Sequence, residues 1–341
     1  MTFDAKESYW QVAGRLRKES FTTAIVLPLS IRSGLEVALA GIPRRIGYEH
    51  RGRGLLLTHR VAKVTGITEM RKKPANEVMR LAAQNDIPDL KNEWAPSPQS
   101  HHLYRNLHLM SELIGKGSRV LPTAPSMSLT YREKDDVLRE FGVRPDSVSS
   151  PLFGMCPGGE YGEAKRWPEE RFVEAAKELH SKLNCRWVLF GSPSERDLCS
   201  RITDALNGES EEPIATNLAG RTRLHELFGA LAGCSLVLTN DTGPMHAAAA
   251  VGTPVVGIFG STSPELTGPG LPGDLTHRII RASTPCSPCF LRTCPIDFQC
   301  MRSIEVSLVV NEILAMHLGD EAVVSAPAVQ ASAQADHSVR E

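Results

Sequence analysis

From Leu152 onward, short apolar blocks alternate with amphipathic ones. "LFGMCPGG" is an apolar run that ends in glycines, and "PEERFVEAAKELHSKL" carries apolar residues at helical spacing behind a proline and two acids. "RWVLFGS" reads as a buried strand, "SERDLCSRITDALNG" as a helix with a serine cap and a closing glycine, and "RLHELFGALAGC" as a further helix. "SLVLTN" and "TPVVGIFG" are strands, with the short helix "PMHAAAAVG" between them. Strands that are apolar on both faces, each followed by a helix, predict a parallel, doubly wound α/β sheet. Ligands of such sheets bind beyond the carboxyl ends of the strands, so the polar loops after these strands are the places to look.

The first 150 residues repeat the pattern less regularly. "FTTAIVLP" predicts a buried strand, "SIRSGLEVALAG" a helix, "IPRRIGYE" an extended segment and "HHLYRNLHLMSELIG" another helix. Arg71–Ser100 is polar, contains prolines and receives no assignment. Gly117–Thr130 has the character of a linker, and the Ala-, Ser-, Val- and Gln-rich end that of a disordered tail. These limits divide the chain into 1–130, 131–318 and a tail at 319–341.

Composition narrows the function. The 341 residues can bury two cores, and a net charge of −1 with 23% charged residues lacks the basic face of a nucleic-acid binder. The longest apolar stretch, Ala247–Phe259, is broken by Gly252, Pro254 and Gly257, so no span is expected. The first twenty residues contain no apolar signal region, and the eight cysteines are expected to be reduced thiols of a cytoplasmic protein.

Three loops carry candidate chemistry. In "TNDTGPMH" a strand ends at Asn240, Asp241-Thr242-Gly243 turns, and Pro244 opens a helix. The unpaired amides of a helix start favour a phosphate, Gly243 permits close approach, and Asp241 and His246 could meet sugar hydroxyls. The ordinary alternative is an Asp/Thr helix cap with His246 buried in the core. In "PGGEYGEAKRWP", Lys165 and Arg166 stand at the positive end of a helix dipole, where cations are unfavourable unless an anion offsets them. The alternative is two solvated charges screened by Glu163, Glu169 and Glu170. In "GSPSERD", Glu195 is either a ribose ligand or part of an ordinary cap.

Together these loops, with "LVLTNDTGPMHAAAAVGTPVVGIFGSTSPE" and "CSPCFLRTCPIDFQCMRSI", resemble the ADP-heptose:lipopolysaccharide heptosyltransferases, glycosyltransferase family 9, most nearly the heptosyltransferase II branch. "AIVLPLSIRSGLEVALAGIPRRIGY" is similar to the same family's N-terminal half. The resemblance implies a GT-B architecture of two Rossmann-like doubly wound domains. It implies transfer of L-glycero-D-manno-heptose from ADP-heptose to a lipid A-linked inner-core oligosaccharide, with inversion and without a metal or other cofactor. By the same resemblance Lys165 and the Thr242-Gly243 amides meet the diphosphate, Glu195 the ribose, and Asp241 and His246 line the donor site. The protein would act in the cytoplasm, touching the inner-membrane surface transiently through its acceptor.

The family opens with a strand and a Gly-Asp turn whose aspartate is its expected base. No such turn follows an early strand here: Gly273-Asp274 and Gly319-Asp320 lie in other contexts. At roughly thirty residues per βαβ unit, this predicts an incomplete N-terminal domain and leaves the catalytic base unassigned. A nucleotide-sugar-binding remnant, or another GT-B sugar transferase, are the alternatives. Cys286, Cys289, Cys294 and Cys300 bring four thiols together in sequence, readable as a structural metal site, as packing thiols or as a redox group.

Overall fold

The computed structural model describes residues 7–50, 52–64, 67, 70–84, 98–114, 122–143, 150–208 and 212–319. The chain divides into two compact units. One comprises Met1–Ser126, Gly260–Asp274 and Ser283–Leu291; the other comprises Met127–Phe259, Leu275–Ala282 and Arg292–Glu341.

In the first unit, α1 (Tyr9–Lys18) starts at a capping box: the Gln11 amide donates to Ser8 Oγ, and the Ser8 amide donates to Gln11 Oε1 at 2.8 Å. It leads into β1 (Thr23–Val26), α2 (Ile31–Leu39, capped by Ser30) and β2 (Arg44–Tyr48). β3 (His59–Val61) completes a parallel sheet in the order β1-β2-β3, and α3 (Ala75–Ala82) and α4 (His102–Ile114) follow. Ile46, Tyr48, Val61 and Leu109 form a small core. Burial pushes the Tyr48 phenol up to about 12, and its hydroxyl donates to the Arg105 carbonyl at 2.6 Å. Arg53 is fully buried with its guanidinium on the Pro28 and Tyr48 carbonyls, so it closes the ends of β1 and β2.

The second unit holds a six-stranded, all-parallel sheet in the order β6-β5-β4-β7-β8-β9. Its strands are β4 (Leu152–Cys156), β5 (Arg186–Leu189), β6 (Ala215–Asn217), β7 (Leu236–Asn240), β8 (Val255–Phe259) and β9 (Arg278–Arg281). Its longer helices are α5 (Tyr131–Glu140), α6 (Glu169–Leu183), α7 (Arg196–Asn207), α8 (Leu224–Ala232), α9 (Gly243–Ala250) and α10 (Val306–Leu318). The two-residue strand period sorts the core onto two faces. Phe153, Met155, Trp187, Leu189, Leu238 and Ile258 pack with Phe172 of α6 and Ile313 of α10. Leu152, Cys156, Val188, Phe190, Val237 and Phe259 pack with Leu138 of α5, Leu231 of α8 and Met245 of α9.

Two expected boundaries move. The last helix of the "TNDTGPMH" loop starts at Gly243, one residue before Pro244; proline is tolerated there because a first-turn amide has no intrahelical partner. The serine that caps the "SERD" segment is Ser192, which closes a 3-10 turn at Pro193–Glu195 before α7 begins. Among the described residues no helix is long and apolar enough to cross a membrane. The expectations for 85–97, 117–121 and 320–341 fall outside the described residues.

Candidate functional site

β4 and β7 are neighbours, yet the chain continues from β4 towards one sheet edge and from β7 towards the other. This is the topological switch point, and ligands of such sheets bind outside the carboxyl ends of the strands there. The "PGGEYGEAKRWP" and "NDTG" loops leave from those two strands, and "GSPSERD" leaves from β5 beside them.

Asn240, the last residue of β7, is fully buried and ties the first two loops together. Its amide nitrogen donates to the Pro157 carbonyl at 2.8 Å and to the Gly158 carbonyl at 3.0 Å, and its oxygen accepts the Trp167 amide at 3.1 Å. Trp167 in turn donates from Nε1 to the Ile304 carbonyl at 3.0 Å. Nothing in "SLVLTN" marks Asn240 for this role, because its partners lie some eighty residues away in sequence.

Glu195 lies beneath the glycine turn and is 9% exposed. Gly159 N donates to its Oε1 at 2.7 Å, while Ser192 N and Oγ donate to Oε2 at 2.8 and 3.0 Å. A Cβ at residue 158 would run into this carboxylate, so any larger residue there must push Glu195 off the turn. The structure therefore shows Glu195 holding the turn as well as closing a cap.

Lys165 donates from Nζ to Asp241 Oδ2 at 2.7 Å and to the Asp241 carbonyl at 3.3 Å. The two side chains are only 13% and 6% exposed, so this pair is shielded from water. The screening acids expected for Lys165 do not include this partner; Glu169 instead pairs with Arg201 at 2.7 Å. Thr242 holds the N-cap position of α9 in an extended conformation without a side-chain cap bond, and its Oγ1 lies 3.3 Å from Thr239 Oγ1. Space is open around Gly243, and His246 is exposed one turn further on, not buried in the core. Lys165, Asp241, Thr242 and Gly243 thus meet at one helix start, with Glu195 bracing the adjoining turn.

All eight cysteines are free thiols, with Cys286, Cys289 and Cys300 buried. Among the described residues no group of three or more His, Cys, Asp or Glu side chains is gathered to hold a metal ion.

A parallel sheet in this strand order, with a glycine turn, a cation and a helix start at its switch point, defines an α/β protein of the Rossmann-type, doubly wound class. The chain belongs to glycosyltransferase family 9 (heptosyltransferase), whose family model matches residues 68–299. It is a glycosyltransferase of GT-B fold, built from α/β units with parallel sheets. It is 32% identical to the lipopolysaccharide heptosyltransferase 2 of Escherichia coli (strain K12) over 274 residues, 79% of this chain and 67% of that relative. It is 30% identical to the lipooligosaccharide heptosyltransferase 2 of Haemophilus influenzae, over 75% of this chain and 65% of that one. The chain thus spans about two thirds of the length of these relatives. The structure of E. coli ADP-heptose lps heptosyltransferase II superposes with a TM-score of 0.62 at 28% identity, covering 92% of this chain and 81% of that one. E. coli heptosyltransferase WaaC with ADP shares the fold, with a TM-score of 0.55 at 16% identity over 91% and 78% of the two chains.

Proposed function

We propose that this protein transfers L-glycero-D-manno-heptose from ADP-heptose to the inner core of lipopolysaccharide, with inversion and without a metal. The observation that carries this is the shielded Lys165–Asp241 pair at the start of α9, at the switch point of a family-9 chain. The Thr242-Gly243 amides and the α9 dipole face the donor diphosphate, and Lys165 adds an ammonium whose charge Asp241 balances. As the glycosidic bond breaks, negative charge grows on the leaving ADP, and these prearranged groups need no reorganisation to stabilise it. Asp241 and His246 line the sugar side, while Glu195 holds the turn and offers its carboxylate edge to the ribose.

Inversion requires the acceptor hydroxyl to attack from the face opposite the leaving group and to lose its proton as it does so; none of the residues above is assigned that step. In the first unit, Tyr48, Lys63, Met70, His102 and Arg105 line a shallow cleft. Its mixture of cations and apolar side chains suits an anionic, lipid-linked acceptor, and the protein would meet the inner membrane from the cytoplasm only while the acceptor is bound.

The test is turnover of ADP-heptose with a heptose-deficient lipid acceptor, alongside calorimetric ADP binding. Lys165→Ala and Asp241→Ala should each weaken donor binding or turnover about tenfold or more, equivalent to about 1.4 kcal/mol, in protein that still unfolds cooperatively. If neither variant changes either quantity, the diphosphate does not sit here. Binding without turnover would favour a donor-binding protein over an enzyme.

A further inference from the structure

The turn that carries Lys165 is built against a second cation. Ala164 N donates to the Arg292 carbonyl at 3.0 Å, which fixes the chain at Arg292 on the 159–166 turn. A Cβ at residue 162 would run into that same carbonyl oxygen, so only glycine lets the two segments approach this closely. The Arg292 guanidinium then lies 5.0 Å from the centroid of the Tyr161 ring, and Lys165 Nζ lies 4.9 Å from the same centroid. One aromatic ring thus gathers both cations, and at an exposed position such a contact is worth about 0.5–1 kcal/mol, enough to bias where the arginine lies.

The two cations differ in what balances them. Lys165 is neutralised by Asp241, whereas among the described residues no carboxylate pairs with Arg292, which is exposed. A sugar-linked diphosphate brings about two negative charges and gains about one more when it leaves as a free diphosphate ester. The Lys165–Asp241 pair sums to zero, so the charge is left to the α9 amides and to the arginines of this turn: Arg166, whose guanidinium is directed to the Gly159 carbonyl at 3.5 Å, and Arg292.

We infer that Arg292, presented by Tyr161 and by the close approach at Gly162, is a second diphosphate-binding residue whose charge meets the one developing on the leaving nucleoside diphosphate. This rests on the proposed donor site. Arginine suits the task because its planar fork can engage two phosphoryl oxygens at once.

The experiment compares wild type, Arg292→Ala, Arg292→Lys, Tyr161→Leu and Gly162→Ala, with Lys165→Ala as reference. ADP and AMP binding are measured by calorimetry, and heptose transfer by steady-state kinetics. Arg292→Ala should weaken ADP binding about tenfold and leave AMP binding within about twofold, because only the second phosphoryl group loses its partner. Its kcat should fall further than its KM rises, since the contact strengthens as charge develops. Arg292→Lys should recover part of the loss, and Tyr161→Leu and Gly162→Ala should reproduce it in milder form. If Arg292→Ala matches wild type in ADP binding and kcat while Lys165→Ala does not, Arg292 is a surface residue and the donor site stands without it. If wild type binds no ADP, the inference and the donor site fall together.

Discussion

Asn240→Asp alters one atom of the clamp at the switch point and reverses its chemistry. The wild-type amide nitrogen donates to the Pro157 and Gly158 carbonyls at 2.8 and 3.0 Å from a fully buried position. A carboxylate of the same shape has no proton to give, and it carries a buried charge against two carbonyl oxygens. Each carbonyl left unsatisfied costs about 1–3 kcal/mol, so we expect a loss of about 4 kcal/mol at pH 7, a large share of the roughly 5–15 kcal/mol that holds a domain folded. Protonation restores one donor, so the introduced carboxyl has a folded-state pKa raised above its unfolded value of about 3.9. The defect is therefore smallest below about pH 4 and grows as pH rises through the raised pKa.

Urea unfolding followed by tryptophan fluorescence reads the effect, since Trp167 and Trp187 are buried in the same unit. With a slope of about 2.5 kcal/mol/M, the midpoint should fall by about 1.5 M at pH 7. The gap to wild type should be clearly narrower at pH 4.5. A midpoint within about 0.3 M of wild type at pH 7, with the slope unchanged, would refute the clamp.

Other perturbations reach neighbouring parts. Gly158→Ala should drive the Glu195 carboxylate off Gly159 N, costing about 1–3 kcal/mol and lowering donor affinity; equal affinity and midpoint would contradict the packing described. Burial pushes the Cys185 and Cys199 thiols up to about 12. Both should resist a thiol reagent at pH 8 until urea unfolds the protein. Because the fold favours their protonated forms, stability should hold below about pH 9 and erode as pH rises towards 12, by about 4 kcal/mol per thiol at the far end. Cys286→Ser should leave ADP affinity unchanged, and a chelator in the transfer assay should leave the proposed heptose transfer at its full rate; a fall in either would implicate a bound metal.

The two units differ in how much of each was legible beforehand. β4, β5, β7 and β8 are buried on both faces and so read as unbroken apolar runs, which place the three loops at their carboxyl ends correctly. β3 and β6 span three residues each, too few to show a period, and two of the three β3 side chains are exposed. α3 lies within the polar Arg71–Ser100 stretch and buries only Val78, so its amphipathic signal is carried by one position. Within the site, Lys165, Asp241, Thr242 and Gly243 could be named one by one, but their pairing could not. A 2.7 Å ion pair across 76 residues follows from which strands are neighbours, and strand order leaves no trace in local periodicity. Asn240 was invisible for the same reason, since its usefulness lies in the two loops it joins. Glu195 showed its capping pattern, while its bond to Gly159 N depends on β5 lying next to β4.

The Lys165–Asp241 pair also bears on how fast the proposed site could empty. A lone lysine would hold a nucleoside diphosphate by neutralising it, and release would then expose an unbalanced ammonium to a poorly hydrated pocket. Here the lysine already has a carboxylate at 2.7 Å to return to. For the ammonium, occupation becomes an exchange of one anion for another, and departure the reverse exchange. Such a site gives up some tightness of grip and gains rapid release of its product.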